Sequence, residues 1–505
     1  MDRTERILIG SLIGVAVAGG ILLRFLPMTP LWLDEAQSAA IASEGFRGIF
    51  EALRHDGHPP FYYLLLAVWM AVFGESGISL RALSGVLGVI SIPLTWLLAK
   101  RYLNGWGPFF AAAVVAVSPF AIRYGSEVRM YALLIVVLLL AHIAFISCWE
   151  RPTSLRIAAV SVVTAVLLFT HYWSLYLVMV IIVGLITLRY RKTGREKVVA
   201  GKILIGIALG GIPFVIWIPV FLTQLAHTGT PWASASRPTV VMALALESFG
   251  GGRGSEALLV AVVLSILFVW GLGIRVEDSI PRVALTELTW LRTVVVVGFA
   301  TMLCGVGVGY FFDLAFQGRY AVFCFVPIVL ALAVGLQRIP RSVAPFVLII
   351  FIFLSGVSVA RELTRDRTQV GAIAEVIYRE GMKGDTVVFC PDQLAPAGYR
   401  LLAEDFSTIA YPSFRSGQRV DWYDYAIRNA AASPVAFADQ LVVDLPEVTN
   451  VWLVWMDGYK TFGEQCGMLR GEMTRHLGRG LKRVNADGDE YYNPANLMKF
   501  VGPNK

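Results

Sequence analysis

The sequence predicts a polytopic α-helical membrane protein with an α/β unit at its C-terminal end, and three observations predict it. Of 505 residues, 56% are hydrophobic and 16% charged, and the mean hydropathy is +0.66, a far more apolar balance than soluble chains have. Apolar runs of span length recur through the first 360 residues. From about residue 361 the composition becomes that of a soluble domain. The expected division is 1–360 for the membrane part and 361–505 for an extracytoplasmic α/β part.

Twelve apolar runs occur, at 7–26, 61–74, 82–99, 108–122, 130–148, 155–170, 172–188, 203–222, 257–274, 292–312, 320–336 and 343–360. The first follows Arg3 and Arg6, is long, and precedes no small-residue cleavage site, so it reads as a retained span with its N-terminus inside. The run 61–74 is the weakest, because fourteen residues reach about 21 Å against a hydrocarbon core of roughly 30 Å. Charge decides whether it crosses. If it does not, Lys100, Arg101, the basic cluster 189–197, Arg338 and Arg341 share the inner side with Asp278, and sparser cations such as Arg253 fall outside. If it does, that cluster moves outside, against the positive-inside bias. Eleven spans are therefore expected, with 61–74 lying in the outer interface, a depth that suits Tyr62, Tyr63 and Trp69.

In the tail, 370–380 reads as a helix, DTVVFC and NVWLVWM as buried strands, and Gly384-Asp385 as the turn before the first strand. The tail shows no Gly-rich phosphate loop and no zinc spacing, so recognition or lid duty is its default role. Cys390 and Cys466 share it and can pair in an oxidising compartment if the fold brings them together. The net charge of +7 does not point to nucleic acid, since the basic residues sit in short loops between spans.

The polar stretch 31–60, LWLDEAQSAAIASEGFRGIFEALRHDGHPP, is the longest polar interruption among the first 120 residues. It holds Asp34-Glu35 near its start and His55-Asp56-Gly57-His58-Pro59-Pro60 at its end. Asp34 also reads as a helix cap, with Gln37 completing a capping box, and His58-Pro59-Pro60 as a rigid helix entry. With eleven spans, this stretch, 123–131, 171–173, 223–256 and 317–320 share one face. A transporter more often places ionisable groups at mid-membrane, and here the span middles are nearly free of charge.

Five segments then carry a resemblance: Trp32-Leu33-Asp34-Glu35, His58-Pro59-Pro60-Phe61-Tyr62-Tyr63, Ser126-Glu127-Val128-Arg129-Met130-Tyr131, Thr170-His171-Tyr172 and Arg319-Tyr320. In order and spacing over about residues 1–340 the chain resembles the GT-C membrane glycosyltransferases that use polyprenyl-phosphate sugars, especially the bacterial branch related to protein O-mannosyltransferases and to the aminoarabinose and galacturonic acid transferases of lipid A. The resemblance implies transfer of one sugar from a polyprenyl-phosphate-linked donor, held among membrane lipids, to an envelope glycolipid, glycan or protein. It places the chemistry on the periplasmic face of a bacterial inner membrane.

By match to the family's first-loop acid, Asp34 is the catalytic base, and Glu35 supports it or helps hold a divalent metal such as Mg or Mn, a requirement the family leaves open. Such a reaction needs a carboxylate for the acceptor hydroxyl and cations for the departing phosphate. Arg129 and Arg319 are the candidate phosphate contacts, because Arg grips phosphate bidentately; their other reading is snorkelling at span ends. His58, Glu127, Tyr131, His171 and Tyr172 are the candidate substrate contacts. His58 also reads as a turn residue or as a metal ligand with His55 and Asp56, and His171-Tyr172-Trp173 as an interfacial aromatic belt. Rival functions are a lipid-linked oligosaccharide ligase or polymerase, a lipid-linked sugar flippase, and a non-catalytic relative whose tail binds glycan or protein.

Overall fold

The computed structural model describes residues 3–229, 233–252, 254–277, 280–283, 290–340, 342–445 and 449–501. Arg253, Asp278 and Arg341, all used in the charge argument above, lie outside the described residues. Among the described residues nine helices are long and apolar enough to cross a membrane, and the bent pair Gly107–Val117 and Pro119–Gly125 makes a tenth. Ser154–Thr170 has only 17 residues, yet it packs between Tyr131–Glu150 and Arg195–His227 and joins the same two ends of the bundle.

The two ends differ in chemistry. At one end Arg101 pairs with Glu150 at 2.9 Å, Arg195 donates to the carbonyls of Trp149 and Glu150, and Arg292 and Arg338 donate to those of Leu272 and Gly271. These cations close the last turns of neighbouring helices, whose terminal carbonyls lack intrahelical donors. The other end gathers the segments that follow residues 23, 125, 170 and 227 and the one that precedes residue 318, and it carries the C-terminal unit. Phe61–Phe73 begins and finishes at this second end: His58 before it meets Arg129, and the carbonyl of Glu75 after it accepts from Arg400 of the tail. The short run therefore lies along this end of the bundle.

The break in the bent pair follows from Ser118-Pro119. Proline cannot donate to the preceding turn, and Ser118 starts a new helix by accepting from the Ala121 amide at 3.3 Å, so the axis turns by 54°. The carbonyls of Val115 and Ala116 are taken up by the buried guanidinium of Arg24, at 2.9 and 2.8 Å, which is how broken helices survive among apolar neighbours. Gly20 permits this approach, since a Cβ there would stand 2.1 Å from the Ala116 oxygen. The bend delivers residues 126–131 to the second end. Arg195–His227, 33 residues and so about 50 Å long, likewise carries Gln224 and His227 beyond the apolar zone.

The tail is a three-layer α/β unit. Its sheet runs in the order Ser407–Ala410, Thr386–Cys390, Val451–Trp455, Asn496–Phe500, Leu481–Val484, the first three parallel and the last two antiparallel to their neighbours. Both central parallel strands are buried throughout, as continuous apolar runs of this kind require. Alternation sends Val387 and Phe389 to a layer with helices Val370–Glu380 and Ala395–Leu402. Val388 and Cys390 go to a layer with Pro434–Asp444 and Gln465–Leu477. In that second layer Cys390 and Cys466 form a disulfide.

The tail docks through residues 419–424. Gln37 exchanges two hydrogen bonds with the Val420 backbone, at 2.9 and 2.8 Å. His55 meets Asp421 at 2.9 Å and His227 meets Asp424 at 2.8 Å. The Tyr423 ring lies 5.2 Å from that of His55 and 4.3 Å from that of His227.

A cysteine introduced at Gly194, between Ser174–Arg191 and Arg195–His227, should label from the opposite side of the membrane to cysteines at Gly229 and Gly384. Labelling of all three from one side would refute the passage of Arg195–His227 from end to end.

Candidate active site

The site forms around the short helix Leu33–Ala42, directly after the first span. Asp34 was expected to cap this helix with Gln37, but the helix starts earlier and Asp34 sits within its first turn. The Trp32 amide donates to Glu35 Oε2 at 3.4 Å, so the acid three residues past Trp32 closes the helix start. Gln37 serves Val420 and Asp56 instead.

Successive helical residues point about 100° apart, and the two acids diverge accordingly. Glu35 is fully buried. Its oxygens receive Arg81 Nε at 2.9 Å, Arg81 Nη2 at 2.7 Å and the Val128 amide at 3.1 Å. Burial opposes its ionisation, but Arg81 outweighs it and holds the carboxyl below its ordinary range. Asp34 faces the other way. Arg319 Nη1 donates to its Oδ2 at 2.5 Å, and Arg129 Nε lies 3.9 Å from the same oxygen. Burial again opposes, and Arg319 with Arg129 keeps Asp34 ionised below the usual carboxylate range.

The two cations are at least as enclosed as Asp34, with 3% of the Arg129 side chain and 16% of the Arg319 side chain exposed against 19% for the acid. Both reach inward, so neither snorkels. Arg129 Nη1 donates to Ser38 Oγ at 3.2 Å and Nη2 to His58 Nε2 at 2.9 Å. Arg319 stands over the Tyr131 ring with its guanidinium carbon 5.8 Å from the centroid. The Nε–H of each arginine is buried without a hydrogen-bond partner, so two donors beside one carboxylate are left without an acceptor.

Of the other expected contacts, the structure brings His58, Tyr131 and His171 to this centre. His171 is buried, its ring 5.8 Å from that of Tyr131 and 5.7 Å from that of Tyr320. Burial, with His58, Arg129 and Arg319 nearby, drives its pKa well below the ordinary value and leaves it neutral. Glu127 lies at the edge, where its Oε1 accepts from Trp32 Nε1 at 3.1 Å and pairs with Arg367 of the tail at 3.0 Å. Tyr172 is not brought in. Its hydroxyl bonds Gln224, receives Trp217 Nε1 at 2.9 Å, and its ring packs with Phe214 and Phe221.

The suggested metal triad is not assembled either, because His55 turns to Asp421 while Asp56 and His58 bond each other. With Glu35 occupied by Arg81 and Val128, the pair Asp34-Glu35 offers no joint donor set for a divalent cation. No group of three His, Cys, Asp or Glu among the described residues is arranged to hold a metal.

Arg81, Ser38, Gln224 and Arg367 were not singled out from sequence. Arg81 carried one usable signal, a charge directly ahead of the apolar run 82–99. Arg367 carried none, being 240 residues from Glu127.

Residues 57–217 match the family described as dolichyl-phosphate-mannose-protein mannosyltransferase. Among curated proteins no sequence matches. The whole chain is similar in structure to ArnT from Cupriavidus metallidurans bound to undecaprenyl phosphate, with a TM-score of 0.57 at 12% identity over 97% of this chain and 99% of that one. The apo state of the same protein gives 0.58 at 13% identity over 98% and 99%. The arabinofuranosyltransferase AftD from Mycobacteria gives 0.51 at 14% identity, over 98% of this chain and 42% of that one. At such identities the likeness is one of fold, and the chain has the GT-C fold of the ArnT-like membrane glycosyltransferases.

Proposed function

We propose that this protein is a membrane glycosyltransferase that moves one sugar from a polyprenyl-phosphate donor to an acceptor hydroxyl, with inversion at the anomeric carbon. The observation that carries the reading is the partly exposed Asp34 carboxylate faced by Arg319 and Arg129, each with an Nε–H that has no hydrogen-bond partner, at one end of an apolar bundle. In this reading a lipid-borne phosphate comes to this end of the bundle from the bilayer and a hydroxyl from the aqueous side. Support also comes from the fold shared with ArnT, which has been seen with undecaprenyl phosphate bound.

In this reading the donor phosphate takes the free guanidinium donors. The bond from the anomeric carbon to the phosphate oxygen breaks with its electron pair staying on the phosphate. The acceptor oxygen bonds that carbon, and its proton passes to Asp34. The phosphate also tunes the base. It draws Arg319 away from Asp34 and adds a nearby negative charge, and both effects raise the proton affinity of the carboxylate toward that of a useful general base. Glu35 positions Asp34 by fixing the helix start, and His58, Glu127, Tyr131 and His171 border the donor space.

The chemistry of the two ends of the bundle supports a reading of the face. The opposite end holds the basic cluster, which suits a cytoplasmic side, and the disulfide of the tail suits an oxidising one. The site and residues 361–505 are accordingly assigned to the periplasmic side of a bacterial inner membrane. Among the described residues the ion pairs of the site gather at one end of the bundle, which weighs against a flippase.

Mass spectrometry of envelope glycolipids and glycans from a deletion strain, with and without the wild-type gene, should show loss and return of a single-sugar modification; loss of a repeating glycan instead would indicate a ligase or polymerase. Asp34→Asn should lower transfer by at least about 10²-fold at unchanged protein level, because Asn still accepts from Arg319 but cannot take the proton. Full activity of that variant would remove Asp34 as the base. Arg319→Lys should raise the donor KM despite its conserved charge, and Arg319→Ala should raise it further, because the planar fork is lost in both. Unaltered turnover by Arg319→Ala at limiting donor would exclude the phosphate role.

A further inference from the structure

Behind Arg129 runs a chain of contacts that the transfer chemistry does not itself require. After helix Gly45–Arg54 the chain makes a tight turn in which the His58 amide donates to the Asp56 carbonyl at 2.9 Å. The Asp56 side chain, 3% exposed, accepts from Gln37 Nε2 at 3.2 Å and lies 2.5 Å from His58 Nδ1. On the other edge of the ring, His58 Nε2 stands 2.9 Å from Arg129 Nη2.

A guanidinium only donates, so Nε2 must present its lone pair and the ring proton must sit on Nδ1, donated to Asp56. Gln224 fixes the turn from outside, with Nε2 within 2.6 Å of the Leu53 carbonyl, 2.8 Å of that of Asp56 and 3.1 Å of that of His58.

The consequence falls on Arg129. Its Nη1 is committed to Ser38 and its Nη2 to His58, which holds Nε 3.9 Å from Asp34, beyond hydrogen-bond reach. A guanidinium freed from His58 could swing onto Asp34 and close a bidentate pair, consuming both the base and a phosphate donor. We propose that Asp56 and His58 form a positioning dyad, in which the neutral Nδ1–H tautomer of His58 holds Arg129 open for the donor phosphate. The proposal rests on the reading of Arg129 as a donor-phosphate contact.

The dyad is sensitive to protonation. Asp56, Arg129 and Asp34 face His58, with the Tyr63 ring 6.4 Å away and His171 close enough to feel its charge. Burial and Arg129 lower the His58 pKa below its ordinary value, while Asp56 and Asp34 oppose them. The accepting form is therefore present at neutral pH and is lost as pH falls through the folded pKa, where a protonated Nε2 would set donor against donor and like charge against like.

The test uses the full-length protein in detergent micelles, with binding of undecaprenyl phosphate followed from pH 4.5 to 8 and melting curves as the folding control. His58→Ala should weaken binding at pH 7.5 by roughly tenfold or more. His58→Gln, whose Oε1 can accept from Arg129 but does not titrate, should recover most of that loss and show only the acid limb of the phosphate's own ionisation. Asp56→Asn removes the charge that favours the imidazolium, so its acid limb should move to lower pH. Wild-type affinity in His58→Ala, a His58→Gln variant as weak as His58→Ala, or identical acid limbs in wild type and His58→Gln would each overturn the dyad. Should His58→Ala not fold, the Gln and Asn variants still decide by their limbs. Failure of the wild type to bind would instead sink the donor reading and the dyad with it.

Discussion

A carboxylate taken out of water must find a cation, and at this end of the bundle two such carboxylates are neighbours in sequence. Leaving either unpaired would cost several kcal/mol, while the helix that carries them turns them about 100° apart. Each therefore recruits its own partner. Glu35 draws in Arg81 from the start of Gly77–Ala99 and the amide of Val128. Asp34 draws in Arg129 from the segment before Tyr131–Glu150 and Arg319 from the start of another span. Two adjacent acids thus fix the relative position of three distant span ends, and the remainder of the site is arranged around that junction.

The same economy of charge runs outward. Glu127 is matched by Arg367 at 3.0 Å, and Glu362 by Arg123 at 3.2 Å. Glu35, Glu127 and Glu362 are met by arginines other than Arg129 and Arg319, and Asp56 is met by His58, so the two guanidiniums at Asp34 are not drained by their surroundings. Arg367 comes from the segment that leads into the tail, and the Trp32 ring meets Tyr492 of the tail at 5.9 Å. The tail thus reaches the edge of the site through an ion pair and a ring contact.

Irregular backbone at this depth needs similar provision. The break at Ser118-Pro119 exposes carbonyls that only a donor from elsewhere can satisfy, and Arg24 supplies it. Its place at the end of the first span, with Gly20 clearing the approach, joins that span to the bent pair just where the chain turns toward Glu127 and Arg129. The curvature that builds the site and the charge that stabilises the curvature come from segments about 90 residues apart in sequence.

Hydropathy and loop charge by themselves determined that the chain is a bundle of apolar passes, that 61–74 stands apart from them, and that the tail is an α/β unit with strands within DTVVFC and NVWLVWM, because these depend on local composition and period. They also determined which face the polar residues share, so that Asp34, Arg129, Arg319, His58, Tyr131 and His171 could be grouped before any coordinates. Rotation about a helix axis and pairing over long separations are not local quantities. For that reason tertiary structure alone separated Asp34 from Glu35, sent Tyr172 to Trp217 and His55 to Asp421, and joined Cys390 to Cys466. It alone also brought Arg367 to Glu127, since a buried charge takes whichever partner the packed fold places within reach, and no spacing in the sequence records that choice.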